Sequence, residues 1–498
     1  GLVGSEMCIR DSFTTIILYR FLTKRPFHFH ITSSRKNSYG LSVGAIIKFI
    51  KRANYFRLFS LKNKTYNMKK NFVIFLFYLF VCLSIHAQSA DQVINNLIGQ
   101  KDWFTLNEKY PQLKDSMQYV TLKLLSEGML ASHFNRPEEA IDKLTDIINN
   151  HQQDVGSMGA LSLLQTVIEQ YEILGKYDKV IEKSKTIIDK LKDAPIDLNW
   201  FEYYYRKYKT LNEYPAPMVS RTSDDITVEF HEEYKGESPF KENNIIKGLI
   251  YIPVTIKGNV YQFILDTGSP VTFISKRFAE KIGAKTINGF EDDLGTIARI
   301  DSLKIGDGIT YKNIIAYVDK ADSPDRIVNT SINADAVIGL DFLRLIGEIQ
   351  FDMNNQRLIF PAVFSQKPEY GSNLLYDNGL MPFAKDDSGQ LKFLLDTGNN
   401  DNSFYYKYYK KHEKELFNID AEKEEMIGGS LPSYFYYMAM KVPSIGFECL
   451  GKDIKINNAF VAYTSYPETQ HDGVLGMGFF KLFNKVTINF KDMFMTAE

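Results

Sequence analysis

The feature that most constrains this chain is a nine-residue segment that occurs twice. Residues 261–269 read YQFILDTGS, and residues 391–399 read LKFLLDTGN, 130 positions later. A second element follows each copy: residues 335–345 read DAVIGLDFLRL, and residues 472–482 read DGVLGMGFFKL. Each copy therefore joins an Asp-Thr-Gly turn to an apolar-apolar-Gly element about 75 residues later, and this pattern predicts that one folding unit has been duplicated.

The two Asp-Thr-Gly turns carry the candidate chemistry. A single turn of this kind is weak evidence and could be coincidental, because Asp and Gly are common in turns. Here an apolar strand precedes each turn and places it in the core, and the glycine permits tight backbone geometry. If the two copies face each other, Asp266 and Asp396 share one proton, because two adjacent carboxylates cannot easily both ionise. Such a pair could activate a water molecule and protonate a leaving amine.

These motifs resemble the aspartic peptidases, both pepsin-like and retropepsin-like, and are most similar to bacterial secreted members with two retropepsin-like units in one chain. The resemblance covers about residues 225–498. It implies a bilobed all-β acid-protease fold with a pseudo-twofold axis and an aspartic endopeptidase activity, that is, a hydrolase acting on a peptide or protein substrate without metal or cofactor. It implies that Asp266 and Asp396 are the catalytic residues. Two groups of residues would support them: Thr267, Gly268, Ser269, Thr397, Gly398 and Asn399 in the turns, and Val337, Ile338, Gly339, Val474, Leu475 and Gly476 in the apolar-apolar-Gly elements.

The resemblance also implies individual roles. Thr267 and Thr397 would lock the two turns together, and the hydroxyl of Ser269 would orient Asp266. The second copy departs from the pattern, because Asn399 stands where Ser or Thr is expected and its amide has a different reach. A competing interpretation is therefore a weak or inactive peptidase-like protein that binds peptides. Ser403 is expected to cap a helix over residues 404–416.

Each copy should also carry a hairpin that folds over the substrate. The candidates lie at residues 293–298, with Gly295, Thr296 and Ile297, and at residues 427–431, with Gly428, Gly429 and Ser430. Glycine in such loops allows both motion and close approach to a peptide backbone. The alternative for either segment is an ordinary surface hairpin.

The chain before the duplication has helical rather than strand periodicity. Residues 138–149 and 178–191 carry apolar residues three and four apart, and they superpose at an offset of 40. This predicts an all-α region of helical hairpins, similar to tetratricopeptide repeats, with a plain helical bundle as the alternative. Such a region could bind a protein partner, or it could act as a pro-segment. After residues 214–217 (YPAP) the pattern becomes β-rich, with strands predicted at 226–230, 249–256 and 486–490.

The first 87 residues are interpreted as processing segments. Residues 68–87 show two lysines, an apolar run and a small residue at position 87, which predicts a secretory signal peptide rather than a buried helix or membrane anchor. Residues 1–67 are basic and lack helical or strand periodicity, so we predict a non-native leader, with a genuine basic leader as the alternative. An exported protein of a Gram-negative bacterium, periplasmic or extracellular and without a membrane span after cleavage, is expected. The remaining boundaries place a helical domain at 88–221 and peptidase lobes at 222–362 and 363–498.

The charge of the chain changes when these segments are removed. The full sequence has 59 basic and 60 acidic residues, and residues 1–87 hold 14 of the basic and two of the acidic ones, so the remainder has a net charge of −13. This balance opposes binding to nucleic acid. Only Cys449 remains among the cysteines, which excludes an intramolecular disulfide. The histidines show no metal-ligand spacing, and no phosphate- or dinucleotide-binding motif is present.

Overall fold

The computed structural model describes residues 89–233, 249–292, 294–319, 336–430, 433–464 and 470–498. The predicted leader and signal peptide lie outside these ranges. In the described part of the chain a helical N-terminal region is followed by a β-rich domain, as the periodicity predicts.

The helical region forms a series of consecutive hairpins. Its helices are α1 (Ala90–Gly99), α2 (Trp103–Leu113), α3 (Val120–His133), α4 (Pro137–Asn150), α5 (Gln152–Ile173), α6 (Tyr177–Leu191) and α7 (Asn199–Leu211). The two superposable segments of the sequence lie within α4 and α6. In α4 the buried residues Ala140, Leu144 and Ile147 are three or four apart and form one apolar stripe against its neighbours. None of the described helices is long and apolar enough to cross a membrane.

The β-rich domain contains the two copies of the duplicated unit. The first copy includes β1 (Met218–Arg221), β2 (Ile226–Glu229), β3 (His231–Glu233), β4 (Leu249–Ile256), β5 (Asn259–Leu265), β6 (Phe273–Ser275), α8 (Lys276–Ile282), β7 (Lys285–Glu291), β8 (Gly295–Ile305), β9 (Ile309–Asp319), β10 (Ala336–Ile338), α9 (Leu340–Ile346), β11 (Glu348–Asp352) and β12 (Arg357–Phe360). The second includes β13 (Leu374–Tyr376), β14 (Leu380–Pro382), β15 (Ala384–Asp386), β16 (Gly389–Leu391), β17 (Phe393–Leu395), β18 (Ser403–Phe404), α10 (Tyr406–Lys411), α11 (Glu413–Leu416), β19 (Glu422–Ser430), β20 (Ser433–Cys449), β21 (Lys452–Ala462), β22 (Gly473–Leu475), α12 (Met477–Phe480), β23 (Lys485–Asn489) and β24 (Phe494–Ala497).

Each copy builds its own sheet, and a third sheet joins the two copies. Strands β1 and β3–β10 form the first sheet, and β15–β22 form the second. The third sheet has the order β2-β12-β11-β23-β24, so strands of both copies pair in it through the antiparallel contact of β11 with β23. The predicted strands at 226–230, 249–256 and 486–490 are therefore confirmed as β2, β4 and β23.

One prediction in the second copy is wrong. Ser403 does not cap a helix over residues 404–416, because Ser403 and Phe404 form strand β18, which pairs with both β21 and β22. The helix begins only at Tyr406 and is interrupted at His412. The buried Phe404 side chain decides this, since it packs edge-on against Phe393 in the core of the second sheet.

The helical region packs against both copies. Near α2 and α3, Phe104 packs edge-on against Phe383, and the Asn135 side-chain amide donates a hydrogen bond of 2.7 Å to the Phe490 carbonyl. At its other end, helix α7 packs against β7 in the first copy. These contacts position the helices relative to the candidate site.

Candidate active site

The two Asp-Thr-Gly turns are held in matching positions by parallel strand pairs. Strand β10 pairs with β5 and places Ile338 opposite Leu265, while β22 pairs with β17 and places Leu475 opposite Leu395. One further hydrogen bond continues each ladder into the turn. The Asp266 N–H donates to the Ile338 carbonyl and the Asp396 N–H donates to the Leu475 carbonyl, both at 3.0 Å. The apolar residues of the second repeated element, Val337, Ile338, Val474 and Leu475, thus fix where each aspartate begins.

The glycines that end these elements allow close packing onto the turns. A Cβ atom on Gly339 would lie 2.3 Å from the Val271 carbonyl oxygen, and one on Gly476 would lie 2.3 Å from the Asp401 carbonyl oxygen. Real Cβ atoms do not approach backbone oxygens so closely, so each position requires glycine. Immediately after each glycine, the N–H of the next residue donates to the turn: Leu340 to the Ser269 carbonyl and Met477 to the Asn399 carbonyl, both at 2.8 Å.

The two threonines bind the turns to each other. The Thr267 hydroxyl donates to the Leu395 carbonyl and the Thr397 hydroxyl donates to the Leu265 carbonyl, both at 2.8 Å. Each hydroxyl also accepts a hydrogen bond of 3.0 Å from the backbone N–H of the other threonine. Both side chains are completely buried. The structure therefore brings together the two threonines that the sequence predicts, and each hydroxyl satisfies groups of the opposite copy.

Asp266 and Asp396 face each other across this contact. A Cβ atom on Gly268 would lie 2.3 Å from Cγ of Asp396, and one on Gly398 would lie 2.4 Å from Cγ of Asp266. The two carboxyl groups are hydrogen-bonded to each other. Each also accepts from the glycine of its own turn, at 2.8 Å from the Gly268 N–H and 2.9 Å from the Gly398 N–H. Both aspartates are only half-buried, so water can reach them.

The environment of the pair favours retention of a proton. The pKa of Asp396 is raised well above its ordinary value, first by burial, then by the charge of Asp266 and by the hydrogen bond that the protonated Asp396 donates to it. Burial also raises the pKa of Asp266, whereas the hydrogen bond from Asp396 and those from nearby backbone N–H groups lower it. The titration therefore belongs to the pair and not to either residue alone.

The residue that follows each Asp-Thr-Gly turn differs from the expectation. The Ser269 hydroxyl was expected to orient Asp266, but it donates to the Val271 carbonyl at 2.7 Å, and the Ser269 backbone N–H contacts Asp266 Oδ1 at 3.1 Å instead. In the second copy, the backbone N–H of Asn399 contacts Asp396, while its side-chain oxygen accepts from the Asp401 N–H at 3.3 Å. The backbone thus performs the orienting contact in both turns, and the side chain at this position shapes the loop.

Sequence reasoning missed a second layer beneath the turns. The Gly339 N–H donates to the Thr272 hydroxyl at 3.2 Å, and that hydroxyl donates to Asp341 at 2.8 Å. In the second copy the Gly476 N–H donates to the Asn402 side chain at 3.0 Å. The repeat offsets of 130 and 137 pair Thr272 with Asn402 and Asp341 with Gly478, so the internal alignment held this signal. Desolvation raises the pKa of Asp341 to about 6, although the residue as a whole is exposed to solvent.

The predicted substrate-covering segments lie in two hairpins. Hairpin 1 consists of β7 and β8, and Gly295, Thr296 and Ile297 are the first three residues of β8. Hairpin 2 consists of β19 and β20, and Gly428, Gly429 and Ser430 are the last three residues of β19. Ser430 pairs with Ser433 at the end of hairpin 2. Position 293 and positions 431–432 lie outside the described residues.

Among the described residues, no group of three or more His, Cys, Asp or Glu side chains could hold a metal ion. Cys449 is buried, and burial raises the pKa of its thiol to about 12. Neither observation adds a reactive group to the aspartate pair.

Comparison with known proteins identifies the class of this domain. Residues 252–342 match the family model described as aspartyl protease, and this stretch includes the first Asp-Thr-Gly turn and the first apolar-apolar-Gly element. A retropepsin-like aspartic protease from Rickettsia conorii is similar at 17% sequence identity, over 29% of this chain and 91% of that chain, with a TM-score of 0.19. A search of curated proteins gave no match. The family match alone shows that residues 252–342 are aspartyl protease-like.

Proposed function

We propose that this protein is an aspartic endopeptidase that hydrolyses peptide bonds with the pair Asp266 and Asp396. One observation carries the proposal: the glycine of each turn lies directly against the carboxylate of the opposite copy. This arrangement supports a catalytic dyad, because a half-buried carboxyl pair that shares one proton is suited to general acid–base catalysis.

The order of proton transfers follows from a pair that shares one proton. The ionised carboxyl group accepts a proton from a water molecule between the two groups. The resulting hydroxide attacks the peptide carbonyl carbon, while the protonated carboxyl group hydrogen-bonds to the carbonyl oxygen. Collapse of the tetrahedral intermediate breaks the C–N bond, and a proton passes from the pair to the leaving amine. No covalent enzyme intermediate is required.

We further infer that the two copies are lobes related by a pseudo-twofold axis through the pair. The reciprocal threonine bonds support this inference, because each bond has a counterpart of the same length with the copies exchanged. The matching registers of β5 with β10 and β17 with β22 support it as well. An active site with half its groups in each lobe would explain why the chain keeps both copies of the motif.

Replacement of either aspartate tests the proposal. Asp266→Asn and Asp396→Asn should each abolish cleavage of a peptide library, whereas the matched control Asp401→Asn, an exposed aspartate of the same loop, should retain it. Activity should follow a bell-shaped pH profile, lost on the alkaline side when the pair gives up its shared proton and on the acid side when both groups are protonated. Cleavage that persists in both variants would disprove the assignment.

The same proteins distinguish the proposed peptidase from the alternative function, which is peptide binding without hydrolysis. Absence of cleavage together with saturable peptide binding by the unaltered protein would support it.

We also propose that the protein is exported and that its helical region contacts a protein partner. Export is supported by the sequence pattern at 68–87, and mass spectrometry of the secreted chain would check it by detecting a new N-terminus near residue 88.

A further inference from the structure

Hairpin 1 has an irregularity that faces the helical region. Ile287 on β7 pairs with Ile297 on β8, but the next pair joins Glu291 to Thr296. The three residues 288–290 therefore have no partner on β8 and form a bulge. Bulges bend a strand and redirect its side chains.

The bulge packs onto helix α7. The ring of Phe290 lies edge-on to the ring of Tyr203, with 5.5 Å between centroids, and Gly289 lies beside Thr210. Phe290, Ile287 and Ile297 are almost completely buried in an apolar cluster. This cluster also includes side chains of α7 and of the segment that follows the Asp266 turn: Phe201, Tyr208, Leu211, Val271 and Phe273.

A polar contact closes the end of the hairpin against the same helix. The Asp292 carboxylate accepts hydrogen bonds from the Tyr203 hydroxyl at 2.9 Å and from the Tyr317 hydroxyl at 3.2 Å. Its other oxygen accepts from the N–H groups of Leu294, at 2.8 Å, and Gly295, at 3.2 Å. One carboxylate thus joins the turn of hairpin 1 both to its own lobe and to the helical region. Because burial raises the pKa of both tyrosines, both hydroxyls stay protonated and remain donors.

In the described part of the chain, helix α7 leaves the aspartate pair accessible. Gly268 is exposed, and Asp266 and Asp396 are half-buried. Helix α7 instead packs against β7 of the hairpin, and it shares one apolar cluster with Val271 and Phe273. This placement favours a structural wall over an inhibitory plug.

We propose that helix α7 fixes hairpin 1 as a rigid wall of the substrate cleft, with Tyr203 as the positioning residue. In this arrangement the hairpin does not open and close as an independent flap, and the helical region is part of the peptidase rather than an appended module. The rigidity of the hairpin follows from these contacts alone, whereas its place in a substrate cleft rests on the proposed function.

Hydrogen exchange on the full chain tests the hairpin directly. Tyr203→Phe removes the hydroxyl from Asp292 and keeps the ring, so backbone amides of residues 285–305 should exchange about ten-fold faster, as expected for loss of one hydrogen bond to a charged group. Tyr205→Phe, on the same helix, is the matched control and should leave exchange unchanged. Tyr317→Phe removes the other hydroxyl donor from Asp292 and serves if the first variant does not fold. Unchanged exchange in a folded variant would overturn the proposal.

Peptide kinetics test the cleft. Tyr203→Phe should raise KM about five-fold with kcat changed less than about two-fold, because the wall positions substrate and does not touch the reacting atoms. A rise in kcat/KM would show that the helix restrains activity, and it would overturn the wall in favour of an inhibitory role. If the unaltered protein cleaves no peptide, the proposed function fails, and hydrogen exchange still decides whether the hairpin is fixed.

Discussion

The two copies of the duplicated unit present the same turn to the site but support it differently. In the first copy, Thr272 and Asp341 form a charged layer beneath the turn; in the second, Asn402 takes that place and Gly478 replaces the carboxylate. Hairpin 1 packs on the helical region, whereas hairpin 2 is built on β20, a strand of 17 residues. The difference shows that reciprocal contacts at the turns constrain only the innermost residues, and that each copy is free to diverge one layer farther out.

The strongest test of the contact between the two turns is replacement of the glycine in each turn that lies against the opposite aspartate. Gly268→Ala and Gly398→Ala should each reduce kcat/KM by about 100-fold or more, because the added methyl group would occupy the position of the opposite carboxylate. Small displacements of reacting groups lower the reaction rate strongly. The control Gly446→Ala, where a Cβ would lie 3.9 Å from its nearest neighbour, should retain activity. If the two site variants lost kcat/KM to clearly different extents, the two turns would not be equivalent.

The threonine contact should be equally important from both sides. Thr267→Val or Thr397→Val leaves a buried carbonyl and a buried N–H without their partner, so each should lower the free energy of unfolding by about 3 kcal/mol. Urea unfolding measures this loss. Thr286→Val, at an exposed position, should change stability by less than about 0.5 kcal/mol. Site variants as stable as this control would contradict the role of the contact.

The charged layer of the first copy should give stability a pH dependence that the second copy lacks. The folded-state pKa of Asp341 is raised to about 6 from an ordinary value of 3.8, so the folded protein binds more protons than the unfolded chain between these values. Its contribution to stability therefore falls as pH rises from about 4 to 6. Because the residue is exposed to solvent, screening limits the effect to less than about 1 kcal/mol.

Comparison of Asp341→Asn with the unaltered protein isolates that contribution. The variant should lose less stability across this pH window when thermal unfolding is followed at pH 4 and pH 6. Parallel pH profiles for the two proteins would exclude Asp341 as the source.

The smallest effect is expected at the residue that follows the second Asp-Thr-Gly turn. Asn399→Ser introduces the residue of the first copy, and we expect kcat/KM to change less than about three-fold, because the Asn399 backbone, not its side chain, contacts Asp396. Steady-state kinetics on one peptide substrate measures the change. A large gain would instead show that Asn399 impairs catalysis and would favour the weakly active interpretation.

Several features of the fold could be predicted from local pattern alone. Strand β4 follows from its pattern of apolar residues, and the turn after it follows from Gly258, which adopts a positive φ without strain. Ser403 shows the limit: its neighbour Phe404 is followed by a helical pattern, yet burial against Phe393 makes the segment a strand. Local propensity is weak there, and a distant partner outweighs it.

In the candidate site, too, some contacts could be predicted from the sequence and others could not. The paired motifs determined which residues meet, because a duplicated turn in a core can satisfy its buried groups through its own copy, as Thr267 and Thr397 do. The Ser269 hydroxyl contact was mispredicted, since a carbonyl two residues away competes for it.

The sequence by itself therefore determined the duplication, the order of helical and β-rich regions, and the identity of the facing aspartates, since these depend on repeated local patterns. Only the tertiary structure decided that helix α7 holds hairpin 1 and that Asp341 lies beneath one turn alone. Those contacts join residues that are distant in the chain, such as Tyr203 and Asp292, and packing selects such partners without leaving a periodic signal.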